Sequence, residues 1–325
     1  MNSRQIKVFL FFLVAVSMLT FTTGCGSKKS SRSSTSSVKL SESTKNITLQ
    51  QLLPKTNVVT GRLKKEIPEK TLDEYMYGTL AGQYGKMDVA EEHLIKALNM
   101  EPLFVDAHHN LGLCYYKQGK INDAIKEWKR AIELAPNYAE TYYNLSIFML
   151  DMNRPDDAIK LLNYCIKYEP YHLKARFALG TMAKQKGQNK EAITHFRAYE
   201  SKDHGDIRVL VALGELYLLE GQLDLSLKAF ESASRIDQKN GKIFYQLGIA
   251  YHRRGLIDLA VTNYKKATEL MPDHVDSYIN LGDIYANRGE YATSLAAYNA
   301  ALGVDPTNDY ARRKAKVVEA KLLEK

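Results

Sequence analysis

Between Val105 and Tyr138 the apolar positions fall into two short helical stripes, each followed by a turn. Leu111-Gly112, Tyr115, Gly119, Ala124, Trp128, Ala131 and Pro136 stand at positions 7, 8, 11, 15, 20, 24, 27 and 32 of a 34-residue unit. Small residues sit where one helix must cross another closely, and large ones fill the gaps between them. Stepping by 34 from Thr71 brings the pattern back without an insertion, with units beginning at Thr71, Val105, Ala139, Leu173, Ile207, Gly241 and Val275 and the seventh ending at Asn308. Position 7 reads Tyr77, Leu111, Leu145, Leu179, Leu213, Leu247, Leu281. Position 8 is Gly in every unit but the third, where it is Ser146, and position 20 is always Ala or Ser. A unit of this size cannot bury its apolar face alone, so neighbours must stack on it.

The pattern predicts a helix A over positions 1–14 and a helix B over about 18–30 of each unit. Asp88, Asn122, Asp156, Asp224 and Asp258 share position 18, where a side-chain oxygen is expected to cap helix B. Pro102, Pro136, Pro170, Pro272 and Pro306 share position 32, past helix B, where a missing N–H costs little. The fourth unit departs with Tyr199 at position 27 and His204 at position 32, and the fifth has Gln238 at position 32. A change of superhelical pitch is therefore expected near Ser201–Ile207. After the seventh unit, residues 309–325 read as a closing helix with Ala311, Ala315, Val318 and Leu322 inward and Arg312, Arg313, Lys316 and Lys321 facing water.

Period, glycine and alanine positions and the closing helix together resemble the tetratricopeptide repeat. The resemblance implies an all-α, right-handed superhelical solenoid of seven helix-turn-helix repeats over 71–308 with a C-terminal capping helix over 309–325. It also implies a concave surface lined by helix A, chiefly at positions 2, 5, 6, 9, 12 and 13.

The chain before the repeats has a different character. Arg4 and Lys7 precede an apolar run, Val8–Leu19, whose twelve residues would span about 18 Å as a helix, short of a roughly 30 Å hydrocarbon core. Such a segment reads as targeting sequence. Thr22-Thr23-Gly24-Cys25 resembles the lipobox of bacterial lipoproteins, with Thr22 where that family prefers Leu. The resemblance implies a signal peptide over 1–25, acylation of Cys25, and, since no Asp stands second after the cut, retention at the outer membrane facing the periplasm. An uncleaved signal anchor is the alternative. Residues 26–46 are Ser-, Thr- and Lys-rich and read as a flexible tether. Residues 47–70, the rest of this lead-in, carry scattered apolar positions and predict partial order, with a short helix packed on the first repeat.

The formal charge of +8 is a property of the ends: residues 26–70 carry +7 and residues 309–325 +3, whereas the array carries −4. A nucleic-acid partner would need bases along the array, so none is expected. The repeated glycines form no phosphate loop, and no HExxH or GxSxG occurs, so neither an enzyme nor a cofactor is expected. His108 and His109 point about 100° apart on a helix and do not converge on a metal; position 4 is expected to turn His108 into the core. Besides Cys25 there are only Cys114 and Cys165, both at small packing positions and not expected to bridge.

The expected binding surface is therefore the inner groove. Position 5 reads Tyr75, His109, Tyr143, Phe177, Val211, Tyr245, Ile279. Leu113 and Ile147 stand at position 9, Tyr116 and Leu150 at position 12. These exceed what solubility requires, and exposed apolar patches mark partner sites. Asn110, Asn144, Gln246 and Asn280 at position 6 are expected to hydrogen-bond the backbone of an extended peptide. The alternative for position 5 is that it packs helix A on its neighbours. The expected partner is a protein segment, held as a peptide or an amphipathic helix, with the membrane reached through the N-terminal lipid. Signal, acylated cysteine and array together resemble the pilotin lipoproteins of type IV pilus biogenesis, which implies help in assembling a secretin; the 45-residue spacer and the seventh repeat are departures. An adaptor for peptidoglycan hydrolases, a helper of polysaccharide export, and a signal-anchored scaffold are the other readings.

Overall fold

Every regular element in the computed structural model is helical among the residues it describes, 47–53 and 67–324. A four-residue helix, α1 (Leu49–Leu52), comes first. Seven hairpins follow: α2 (Glu69–Gln83) with α3 (Met87–Met100), α4 (Val105–Lys117) with α5 (Ile121–Leu134), α6 (Ala139–Asp151) with α7 (Pro155–Tyr168), and α8 (Leu173–Gln185) with α9 (Asn189–Glu200). The remainder are α10 (Ile207–Leu219) with α11 (Leu223–Ile236), α12 (Gly241–Arg253) with α13 (Ile257–Leu270), and α14 (Val275–Asn287) with α15 (Tyr291–Val304), closed by α16 (Asp309–Leu323). From α2 onward each helix packs on its sequence neighbours, which is the connectivity of a solenoid.

The hairpins close where a large residue at position 24 lies on the glycine at position 8. Added to Gly112, a Cβ would meet Trp128 at 2.5 Å; on Gly180, Gly214, Gly248 and Gly282 it would meet Phe196, Phe230, Tyr264 and Tyr298 at 2.5–2.8 Å. Those five rings are no more than 1% exposed and are among the largest fully buried side chains of the described residues. In the third hairpin Leu162 replaces the ring, and Ser146 stands where the others have glycine. The small residues at position 20 are all fully buried. Two of them, Ser226 and Ser294, satisfy their hydroxyls by donating to the carbonyls of Gly214 and Gly282 at 2.8 and 2.7 Å.

Helix A ends at position 13 in a tight turn. In α4 the N–H of Lys120 donates to the carbonyl of Tyr115 at 2.9 Å and that of Gly119 to Tyr116 at 3.0 Å, the paired bonds of a Schellman motif. Position 15 must then be left-handed, and Gly119 has φ +77°; Asn153, at +55°, is the one side-chain-bearing residue that takes this place. The motif sets the start of helix B at position 17, so position 18 falls inside its first turn. The expected capping is accordingly not found: position 16 is the N-cap in all seven hairpins, and none makes a side-chain cap bond. Asp156, Asp224 and Asp258 instead pair with position 14 of the next repeat, Lys186 at 2.9 Å, Arg254 at 2.9 Å and Arg288 at 2.5 Å, while the carboxylates favour the helix start.

The fourth repeat is irregular where the sequence is. α9 ends two positions early, and six residues rather than four lead into the next helix A. Tyr199 fills the small-residue position, and its hydroxyl donates to Asp206 at 2.8 Å, while Asp206 also accepts from the backbone N–H of Arg208 at the start of α10. At the C-terminal end α16 buries Ala311, Ala315 and Val318, half-buries Leu322 and exposes Arg312, Arg313, Lys316 and Lys321. At the other end Tyr77 of α2 is 62% exposed, although position 7 is buried in every later repeat, because that position packs on the preceding hairpin.

Helix α1 exists but not where it was expected. Thr48 and Gln51 form a capping box, Leu52 is buried, and the Ile47 carbonyl accepts from the Arg154 guanidinium. The segment is therefore tied to the third repeat rather than the first. Arg154 is oriented for this by Asp157, which accepts from its Nε at 2.8 Å. Cys25 and Val8–Leu19 lie outside the described residues; among those described, no helix is long and apolar enough to cross a membrane.

Candidate binding face

Seven A helices carry the predicted groove residues, and the structure sorts them into three groups. The first is a ladder in which position 5 of one repeat meets position 6 of the next. Asn110 donates from Nδ2 to Tyr75 Oη at 3.1 Å and to Thr79 Oγ1 at 3.0 Å. Asn144 donates to His109 Nε2 at 3.2 Å. Asn280 donates to the Asp276 carbonyl at 2.8 Å and lies beside Tyr245. The Nδ2 groups of Asn110 and Asn144 already serve the preceding repeat and that of Asn280 its own helix, so these N–H donors are not free for a partner's backbone.

His109 belongs to this ladder as core rather than surface. It is 6% exposed, and Nδ1 lies 2.9 Å from the hydroxyl of fully buried Thr141. Since Asn144 donates to Nε2, the proton sits on Nδ1 and the ring is neutral. Burial, the largest influence, holds its pKa down to about 4, against smaller opposing pulls from Glu140 and Asp106. His108 turns inward as well, but toward its own repeat: its side chain is 12% exposed, with Nδ1 2.6 Å from Glu127 and Nε2 2.9 Å from the Pro102 carbonyl. Position 5, not position 4, turns toward the following repeat.

The second group is apolar and open. Leu113, Tyr116, Tyr143, Ile147, Leu150 and Phe177, from repeats two to four, are all half-buried. Tyr116 is fixed by donating its hydroxyl to Asp151 one repeat on, and its ring lies 5.6 Å from that of Trp128. The ladder stops at Tyr143 and Phe177, because the next residues at position 6 are Ala178 and Ala212. In place of an amide each ring meets a cation from position 2 of the next repeat. Lys174 Nζ is 5.7 Å from the centre of Tyr143, and Arg208 Cζ is 4.7 Å from that of Phe177. His172 packs on Tyr143 from below, and Phe196 and Tyr199 on Phe177.

Tyr245 and Asn280 form the third group, in the sixth and seventh repeats and apart from the open stripe. Tyr245 packs edge-on to His274 at 4.5 Å. Nearby acids are engaged: Glu215 pairs with Lys184, and Asp283 accepts from Tyr298 at 2.6 Å and from Tyr310 at 3.0 Å. Sequence reasoning missed the cations at position 2. Their signal was available, because that position reads Leu72, Asp106, Glu140, Lys174, Arg208, Lys242, Asp276 in the 34-residue register.

Elsewhere, Cys114 and Cys165 are buried and free, and burial pushes the Cys165 thiol up to about 12. No three metal-ligating side chains gather among the described residues.

This repeated geometry has known counterparts. Profiles of the tetratricopeptide repeat match residues 105–138, 127–160, 150–207, 207–240 and 245–309. The chain belongs to the tetratricopeptide repeat family, whose fold serves as a protein-interaction scaffold. Among solved structures it is similar to YrrB, described as a tetratricopeptide repeat protein with an unusual peptide-binding site, at 21% identity over 58% of this chain and 97% of that one, with a TM-score of 0.53. It is also similar to the C-terminal part of a repeat-containing protein from Cytophaga hutchinsonii, at 15% identity over 74% and 98%, with a TM-score of 0.56. No curated protein matches the chain.

Proposed function

We propose that this protein is an outer-membrane lipoprotein, acylated at Cys25 and facing the periplasm, whose array holds a segment of a protein partner along the inner face of repeats two to four. The observation that carries the binding site is the open stripe from Leu113 to Phe177, half-buried and continued by cations instead of by the amide ladder. A fold shared with the peptide-binding YrrB supports the kind of ligand. The anchor rests on the sequence Met1–Cys25, and the partner assignment, a secretin assembled during type IV pilus biogenesis, on the combination of lipobox and array.

Affinity capture of the full-length protein from cross-linked native membranes, with mass spectrometry of what it retains, tests this reading. Recovery of a secretin supports it. Recovery of peptidoglycan hydrolases or polysaccharide exporters instead assigns the adaptor role. Cys25→Ser should leave the protein out of the detergent phase or uncleaved. An intact Met1 on the membrane-bound form sinks the lipoprotein assignment and leaves a signal-anchored scaffold.

A further inference from the structure

Position 2 of helix A changes sign along the array, and the change coincides with the place where the amide ladder stops. Asp106 and Glu140 occupy it in repeats two and three, Lys174, Arg208 and Lys242 in repeats four to six. The acids are engaged: Asp106 accepts from the Tyr138 hydroxyl at 2.5 Å, and Glu140 lies 3.3 Å from His172 Nε2. The bases are exposed. Arg208 shares its guanidinium with Asp206 at 2.6 Å, whereas Lys174 and Lys242 have no carboxylate within 4 Å among the described residues. Lys174 and Arg208 stand over the rings of Tyr143 and Phe177, so the cationic track begins on the apolar stripe itself.

We infer that the inner face recognises an amphipathic acidic segment, its apolar residues on Leu113, Tyr143, Ile147 and Phe177 and its carboxylates on Lys174, Arg208 and Lys242. This rests on the inner face being the binding site and adds the chemistry and direction of the ligand. A neutral apolar segment would leave the lysines with no new partner, and a basic one would be repelled by them. An acidic one gains charge complementarity, which fixes register and rejects wrong partners. Each exposed ion pair is weak alone, so the effect must be read on the track as a whole.

The test pans a random 16-residue peptide display library against the purified full-length protein and measures synthetic peptides of the enriched sequences. The expected outcome is an aliphatic or aromatic cluster flanked on one side by Asp and Glu. Binding of such a peptide should weaken at least tenfold for Lys174→Glu/Lys242→Glu, with the melting temperature unchanged, and should weaken as salt is raised. The same peptide with Gln for its acids should not distinguish the two proteins. If the enriched peptides show no acidic bias yet lose binding on Tyr143→Ala/Phe177→Ala, the inner face remains the site and the acidic specificity is wrong. If no peptide responds to Tyr143→Ala/Phe177→Ala, the inner-face reading falls with it.

Discussion

The indole of Trp128 lies against Gly112 so closely that a methyl group on that glycine would sit 2.5 Å from its Cδ1, while its Nε1 donates to the carbonyl of His109 at 3.2 Å. The first hairpin contact of the second repeat is therefore set by an atom that is missing. Gly112→Ala gains about 1 kcal/mol of helix propensity but must displace a fully buried ring, and overpacking costs about 1–3 kcal/mol. We expect net destabilisation in urea unfolding. The control is Gly303→Ala in α15, exposed and with no atom within 4 Å of the new Cβ, which should stabilise by roughly 0.5–1 kcal/mol. Equal effects at the two sites would show that ring contact is not what selects glycine.

Acid should weaken the same region through His109. Its pKa is about 4 in the folded chain and 6.5 ordinarily, so the unfolded chain binds the proton more readily. The stability this group supplies is full above pH 6.5 and is lost as pH falls toward 4, by about 1.4 kcal/mol per unit. Protonation puts a second N–H opposite the amide of Asn144, which itself donates to Nε2. His195, whose pKa burial also lowers, works in the same direction. Unfolding free energies measured between pH 7 and pH 4.5 should show this slope, and His109→Gln should flatten it. An unchanged slope in that variant would mean the imidazole is not buried neutral.

Much of this fold was legible because its contacts lie at fixed sequence distances. Gly112 with Trp128, Ala124 in the crossing and Gly119 in the turn repeat every 34 residues, so one unit read correctly gives them all. What was not legible turns on smaller offsets or on longer range. The Schellman turn places helix B one residue earlier than expected, which moves Asp156 from a cap to a first-turn partner of Lys186. One residue on a helix is about 100°, which points His108 at its own repeat and His109 at the next. A short helix in the lead-in was expected, but its attachment to Arg154, 107 residues from Ile47, was not. The hydrogen-bond partners of Asn110 and Asn144 lie across the repeat boundary, where a single unit gives no hint.

Removing the Trp128 ring should be felt locally. Trp128→Ala deletes a fully buried side chain and should cost roughly 3–5 kcal/mol. In a solenoid that loss falls on the interfaces of the second repeat, because each hairpin touches only its neighbours. Amide hydrogen exchange should quicken in α2–α7 before α12–α15 responds. Uniform quickening over all seven hairpins would show that the array unfolds as one cooperative unit.

The last prediction concerns the inner face. Tyr143 and Phe177 are half-buried, and their rings have no amide partner from the following repeat, unlike Tyr75 and His109. Aromatic anchors that become fully desolvated at an interface typically carry about 2 kcal/mol or more each. Tyr143→Ala with Phe177→Ala should therefore weaken partner binding about a hundredfold or more. Phe177 also packs on buried Phe196 and Tyr199, so the double variant must first be shown to be folded by its circular dichroism and melting temperature. Lys184→Gln separates contact from charge. It removes a cation that is already paired with Glu215 and should change binding little. A folded Tyr143→Ala/Phe177→Ala protein that keeps its partner's full affinity would move the site off the inner face. The exposed side of α16, with Arg312, Arg313 and Lys316, would then be the surface to test.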